Sequence, residues 1–356
     1  MKKLLIVFGV ILILTGCGKE NKENVLKNFK ESINNAKSYK ITGNMEISND
    51  EETFTYSLES YYLKDNYYKV ILVNQTNNHE QIILKDNEDI YVITPALNKS
   101  FKFQSDWPKN SSQAYLLGNI VSDIENDKNT EVTSENGYII KSKVNYPNNP
   151  ELTYQKVYLN GNEEIKKVEV FNENDIVKIK VNFETVDLKA GLKSTDFKLK
   201  DYIKEQTEEE TTKCDTNAEG VCEDETNNQD DSNEKTEESA NIENIIYPLY
   251  IPSNTYLLSS ETIEKDNGNR IILTFGGEKN FVLIEEKTIA SDNMEIIPVY
   301  GEPLFLSESI GALSANSLSW DVNNISYYLA STELTVAEMQ EIANSLGNET
   351  LVSDTK

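Results

Sequence analysis

Three cysteines, one histidine and sixty Asp and Glu residues are the side chains with which this sequence could do chemistry. Cys17 closes a segment in which Lys2 and Lys3 precede an apolar run from Leu4 to Leu14, followed by Thr15 and Gly16. Charged, apolar and small residues in that order make a secretory signal. The run falls short of the roughly 20 apolar residues that a spanning helix needs. Cys214 and Cys222 lie close together, and outside a membrane such a pair forms and keeps a disulfide. Two cysteines are a poor zinc site, which wants four ligands, and redox pairs use Cys-x-x-Cys. His79 sits in the polar turn Asn77-Asn78-His79-Glu80, where a surface position is expected. The sequence holds no His-Glu-x-x-His, no Gly-x-Ser-x-Gly and no Gly-x-x-x-x-Gly-Lys. Carboxylates are so many that no single pair, a glycosidase-like one included, carries diagnostic weight. The reading is a chain that is not an enzyme, with no catalytic residue, metal ligand or cofactor assigned.

The ending Leu14-Thr15-Gly16-Cys17 resembles the lipobox of bacterial lipoproteins. That resemblance implies that the Cys17 thiol takes a diacylglycerol and becomes the first residue of the mature chain. Two acyl chains, at roughly 0.8 kcal/mol per buried CH₂, make the anchor essentially permanent. The expected location is the extracytoplasmic side of the cytoplasmic membrane. Composition agrees with a place away from nucleic acid: the net charge is −26, and phosphate binding needs clustered Lys and Arg. Arg270 is the one arginine, while Lys, Asn and Ile abound, a bias of an AT-rich genome such as that of a low-GC Gram-positive bacterium.

Behind the signal (1–17) a short polar tether (18–22) is expected, then a domain over 23–203. It opens with Val25, Leu26, Phe29, Ile33 and Ala36 at helical spacing. Alternating segments follow: Tyr39 to Ile47, Phe54 to Tyr61, Tyr67 to Val73, Gln81 to Leu84 and Ile90 to Ile93, parted by Asn-rich turns. After Ser100 to Phe103, Trp107-Pro108 begins a helical pattern through Ala114, Leu117, Ile120, Val121 and Ile124. Gly137 to Val144, Leu152 to Leu159, Ile165 to Phe171 and Ile176 to Phe183 complete the series, with a hairpin turn at Asn160-Gly161. The pattern predicts an α+β fold with a large, curled antiparallel sheet.

The leading amphipathic helix, the Ser38-Tyr39 strand entry, the run Tyr91 to Lys99 and Phe101-Lys102-Phe103 together resemble the LolA-like and RseB-like lipoprotein-carrier superfamily. Ser105-Asp106-Trp107-Pro108 leading into Gln113 to Leu117 is similar to its Gram-positive sporulation and germination branch, the GerS-like lipoproteins. The resemblance implies a curved antiparallel half-barrel with helices across its concave face, where an acyl chain or a segment of a partner protein is received. On that basis Tyr91, Phe101, Phe103, Trp107 and Leu116 are the candidate ligand- or partner-binding residues. Two departures from true carriers, the tether at Cys17 and a carrier-like region without arginine, argue against lipoprotein shuttling. The partners implied are an envelope protein, either a cell-wall amidase or an anti-sigma factor, with an acyl-chain ligand as the alternative.

From Glu205 to Glu238 fourteen Asp and Glu stand against two lysines with almost no large apolar residue, so 204–240 reads as an acidic linker enclosing Cys214 and Cys222. A second, smaller α+β domain is expected over 241–351, ahead of a tail (352–356). Its predicted strands are Tyr256 to Ser259, Arg270 to Phe275, Asn280 to Glu285, Ile296 to Tyr300, Leu318 to Val322 and Ser326 to Ala330. Its helix starts at the capping box Thr335-Val336-Ala337-Glu338.

Overall fold

The computed structural model describes residues 17–49, 52–202, 241–266 and 268–346, and the counts given are of these. The leader, Cys214, Cys222 and the tail lie outside the described residues. Helix α1 (Cys17–Asn34) runs straight from Cys17, so residues 18–22, expected as a tether, form its first turns. It is followed by β1 (Ser38–Ser48), β2 (Thr53–Leu63), β3 (Tyr67–Asn74), β4 (Glu80–Asp86), β5 (Ile90–Thr94) and β6 (Lys99–Phe103). Helix α2 (Leu117–Asn126) leads to β7 (Glu131–Ser134), β8 (Tyr138–Lys143), β9 (Leu152–Leu159), β10 (Ile165–Asn172) and β11 (Val177–Asp187). The second half contains β12 (Thr255–Lys265), β13 (Gly268–Gly277), β14 (Phe281–Lys287), β15 (Glu295–Val299), β16 (Gly301–Phe305), β17 (Ile310–Ser314), β18 (Ser317–Val322), β19 (Ile325–Ala330) and α3 (Val336–Asn344).

Two sheets result, in the orders β15-β6-β5-β4-β3-β2-β1-β11-β10-β9-β8-β7 and β12-β13-β14-β19-β18-β17-β16. The end strands of the large sheet do not pair with each other, so the large sheet that the pattern predicted is open, as in the half-barrel that the resemblance implied. Its alternation is visible in β1, where Tyr39, Ile41 and Met45 are buried and Lys40, Asn44 and Glu46 face outward. At Gly43 the ladder to β11 slips by a residue. A Cβ there would meet the Asn182 carbonyl oxygen at 2.1 Å, so this crossing accepts only glycine.

Val25, Phe29 and Ile33 of α1 and Leu117, Ile120, Val121 and Ile124 of α2 pack in one core with the strand residues Ile41, Met45, Val157 and Val181. Each such side chain contributes roughly 1.5–3 kcal/mol by leaving water. The opposite face of β2–β5 is also covered: Ile82, Leu84, Tyr91 and Ile93 are closed over by Phe197, from the short turn Ser194–Phe197.

One expected strand belongs elsewhere. Ile296 to Tyr300 was predicted within the second domain, yet β15 pairs in parallel with β6 of the large sheet, Ile297 opposite Phe101. Alternation announces a strand but not its neighbour. The second half therefore completes the edge of the first sheet, and Ile310 and Ala312 of β17 enter the core of the first half. Gln81 fixes the junction by donating to the Ile310 carbonyl (3.3 Å) and accepting from its N–H (2.5 Å). His79, expected on the surface, is half-buried at this junction, its Nε2 without a hydrogen-bond partner.

Candidate functional site

The five aromatic and aliphatic candidates divide between the two faces of the large sheet. Phe101 and Phe103 alternate with Lys102 on β6, so both enter the core on the side of α1 and α2, their ring centres 6.5 Å apart. Trp107 and Leu116 join the same core, 2% and 0% exposed. Tyr91 points to the opposite face, among Ile82, Leu84 and Phe197, its hydroxyl donating to Asp89 at 3.1 Å. The structure thus brings four of the five together, and all five are buried.

The loop between β6 and α2 is held from beneath. Lys85 of β4 donates to the Trp107 carbonyl, and the Asn119 amide donates to the carbonyls of Pro108 (2.7 Å) and Ser111 (2.9 Å). The Ser112 hydroxyl donates to Asp123 at 2.7 Å and accepts from the Asn145 N–H at 2.7 Å. Burial pushes the Asp123 carboxyl up to about 7, against the lowering effect of the Ser112 hydrogen bond. Burial likewise pulls the Lys85 ammonium down.

This pinned loop forms one wall of a cleft of about 670 Å³ between the two sheets. Met45, Ile47 and Ile179 supply its floor from β1 and β11, and Gln113, Tyr115 and Tyr146 its near wall. The far wall is Pro303 to Phe305 of β16 with Ala337, Gln340 and Asn344 of α3. Tyr115 and Phe305 meet across it with ring centres 5.5 Å apart. Glu302 latches the walls, accepting from the side-chain amides of Asn110 and Asn148. Gln340 donates to the Phe305 carbonyl at 2.8 Å, tying α3 to β16.

The lining is mixed. Three carboxylates, Glu151, Glu302 and Glu341, face the cleft with one lysine, Lys178, whose Nζ is 3.7 Å from Glu151. Leu249, 65% exposed, stands among the lining residues as an apolar anchor point. Amide side chains and carboxylates over an apolar floor suit the alternating backbone and side chains of a polypeptide better than a bare hydrocarbon tail. Among the described residues no cluster of three or more His, Cys, Asp or Glu is placed to hold a metal ion. None of their helices is long and apolar enough to cross a membrane.

Glu302, Phe305 and Leu249 escaped the sequence reading. Gly301-Glu302-Pro303 has the composition of a turn, and only the apolar run Leu304-Phe305-Leu306 behind it signalled a strand.

The family described as Sporulation protein YdcC-like matches residues 1–197. The chain is 33% identical over 338 residues to sporulation protein YdcC of Bacillus subtilis (strain 168), covering 94% of this chain and 93% of that protein. Among solved structures, the MucA/MucB complex of Pseudomonas aeruginosa aligns at 10% identity with a TM-score of 0.32, over 90% of this chain and 97% of that one. A chain of the structure of the CwlD amidase from Clostridioides difficile in complex with the GerS lipoprotein aligns at 18% identity and a TM-score of 0.29, over 46% of this chain and 93% of that one.

Proposed function

The chain belongs to the YdcC-like family of sporulation proteins, and from that membership we propose that it is a lipid-anchored scaffold on the extracytoplasmic side of the membrane. It binds rather than catalyses, and its cleft between the two sheets takes an extended segment of an envelope protein. The observation that carries this reading is the lining of the cleft: an apolar floor, amide-bearing walls and three carboxylates against one lysine. An excess of carboxylates, in a chain of net charge −26, favours a segment bearing lysines or arginines. Cys17 anchors the chain through the lipobox-like ending of its leader. A cell-wall amidase or an anti-sigma ectodomain are the partner classes that the sequence resemblance implies.

The test is a gentle affinity isolation of the chain from its own sporulating host, with native mass spectrometry of what comes with it. The expected result is a stoichiometric envelope protein that is lost from Leu249→Arg, a change at an exposed position that leaves the fold intact. A stoichiometric lipid in place of a protein would overturn the reading in favour of an acyl-chain carrier.

A further inference from the structure

Four strands end the two sheets, and three of them carry protection against pairing with another chain. β7 has four residues, β15 five with Pro298, and β16 five with Pro303. Short length and proline are the devices by which sheet edges are blunted. β12 is different: it has eleven residues, no proline, and is exposed along nearly its whole length. A bulge between Leu257 and Ser259 leaves Ser259–Lys265 in unbroken register with β13. An edge of this kind presents a row of unpaired backbone N–H and C=O groups, ready for one more strand.

We propose that β12 pairs antiparallel with β12 of a second copy of this chain, joining two seven-stranded sheets into one of fourteen about a twofold axis at Ile263. The side chains choose this occupant and this register. With Ile263 opposite its own copy, Glu261 faces Lys265 of the second copy twice, and Thr262 faces Glu264 twice. Ile263, 45% exposed in the single chain, gains an apolar neighbour. Registers centred on Glu261 or Glu264 set like charges directly opposite, and one centred between Thr262 and Ile263 sets Glu261 against Glu264. Lys265 pairs with Glu286 at 2.9 Å in the single chain, and because Arg270 also holds Glu286, a turn of Lys265 to Glu261 of the second copy leaves Glu286 with a cation.

The register is read by cysteine cross-linking in the full chain in its own membranes, with Cys214→Ser and Cys222→Ser in place. Ile263→Cys is expected to give a disulfide-linked dimer on mild oxidation, since the two residues lie directly opposite. Thr262→Cys, whose opposite number is Glu264, is expected to cross-link far less. In sedimentation equilibrium of the full chain in detergent, Glu261→Lys should weaken dimerisation about tenfold, or about 1.4 kcal/mol. Adding Lys265→Glu to it should restore the wild-type value. All these positions are exposed, so the variants fold. A monomer at every concentration, equal cross-linking at 262 and 263, or cross-linking of Ile263→Cys to a different protein overturns the proposal.

Discussion

The ammonium of Lys99 lies 2.7 Å from Asp321 Oδ1, one residue on β6 of the large sheet, beside its edge strand β15, and the other on β18 of the small one. Lys99 also donates to Ser326 at 3.2 Å, and the Asp321 side chain is 2% exposed. Placed where β15 has already joined the two sheets, the pair sets their relative position. Removing one partner leaves the other charge buried and uncompensated, at a cost of about 3–5 kcal/mol. Lys99→Ala should therefore lower the urea midpoint by an amount equivalent to about 3 kcal/mol. Lys99→Met with Asp321→Leu should recover most of it, because no charge is then stranded. Urea titration of the three proteins by fluorescence checks this, with Trp107 and Trp320 as buried reporters.

Glu285 gives the stability a pH dependence of opposite sign to that of a surface carboxylate. It is fully buried on β14, with Oε2 accepting from the Ile246 N–H at 3.2 Å and Oε1 without a partner. Burial pushes its carboxyl up from 4.5 to about 7, partly offset by that hydrogen bond. Between those values the native state binds a proton that the unfolded chain does not, so stability falls as pH rises through the window and levels off above it. Asp123, raised to about 7 by burial, acts in the same direction. Glu285→Gln cannot ionise. Its stability relative to wild type should therefore be greater at pH 8 than at pH 5, by about 2–3 kcal/mol. Thermal melts of both proteins at the two pH values measure the difference.

How far the sequence reached is clear from the strands on either side of residue 200. β1, β2, β9 and β11 alternate over long spans with one face in the core, and such alternation is legible because the buried side chains repeat every second residue. β16 was hidden by Gly301 and Pro303, and β17, whose five residues are nearly all buried, shows no alternation. Trp107 was singled out, yet the cleft it lines is closed on its far side by Glu302 and Phe305, nearly two hundred residues away. No local pattern encodes that meeting. His79 looked exposed because its neighbours are polar, and the loop that half-buries it, Glu308 to Ile310, comes from the other half of the chain.

Glu302 spans the cleft by accepting from Asn110 on one hydrogen bond and from Asn148 on another. Hydrogen bonds to a charged group contribute about 1.5–3 kcal/mol each when buried, less where water competes. Glu302→Ala should free both asparagines and loosen the near wall without unfolding the chain. Hydrogen exchange should accelerate about tenfold in residues 108–112 and 146–150, and stay unchanged in β1 and β11, whose ladders do not touch this latch. A uniform acceleration across both regions would mean that Glu302 stabilises the whole molecule rather than the cleft.

Val25, the first buried residue of α1 among those whose side chains are described, lies eight helical steps beyond Cys17, or about 12 Å of axis. If the Cys17 thiol carries the diacylglycerol, the body is held close to the bilayer by a helix rather than swinging on a flexible cord. Cys17→Ser removes the attachment point, and the chain should leave the membrane fraction and lose incorporation of labelled palmitate. Its core should be untouched, because Val25, Phe29 and Ile33 keep their packing. A second variant separates anchoring from placement. A flexible Gly/Ser insert of about twenty residues directly after Cys17 has a mean reach of about 25 Å. It keeps the lipid and the fold but lets the cleft wander from its fixed height. Membrane attachment with lost complementation in a sporulation assay is the expected outcome, and full complementation would show that the short helical standoff has no bearing on activity.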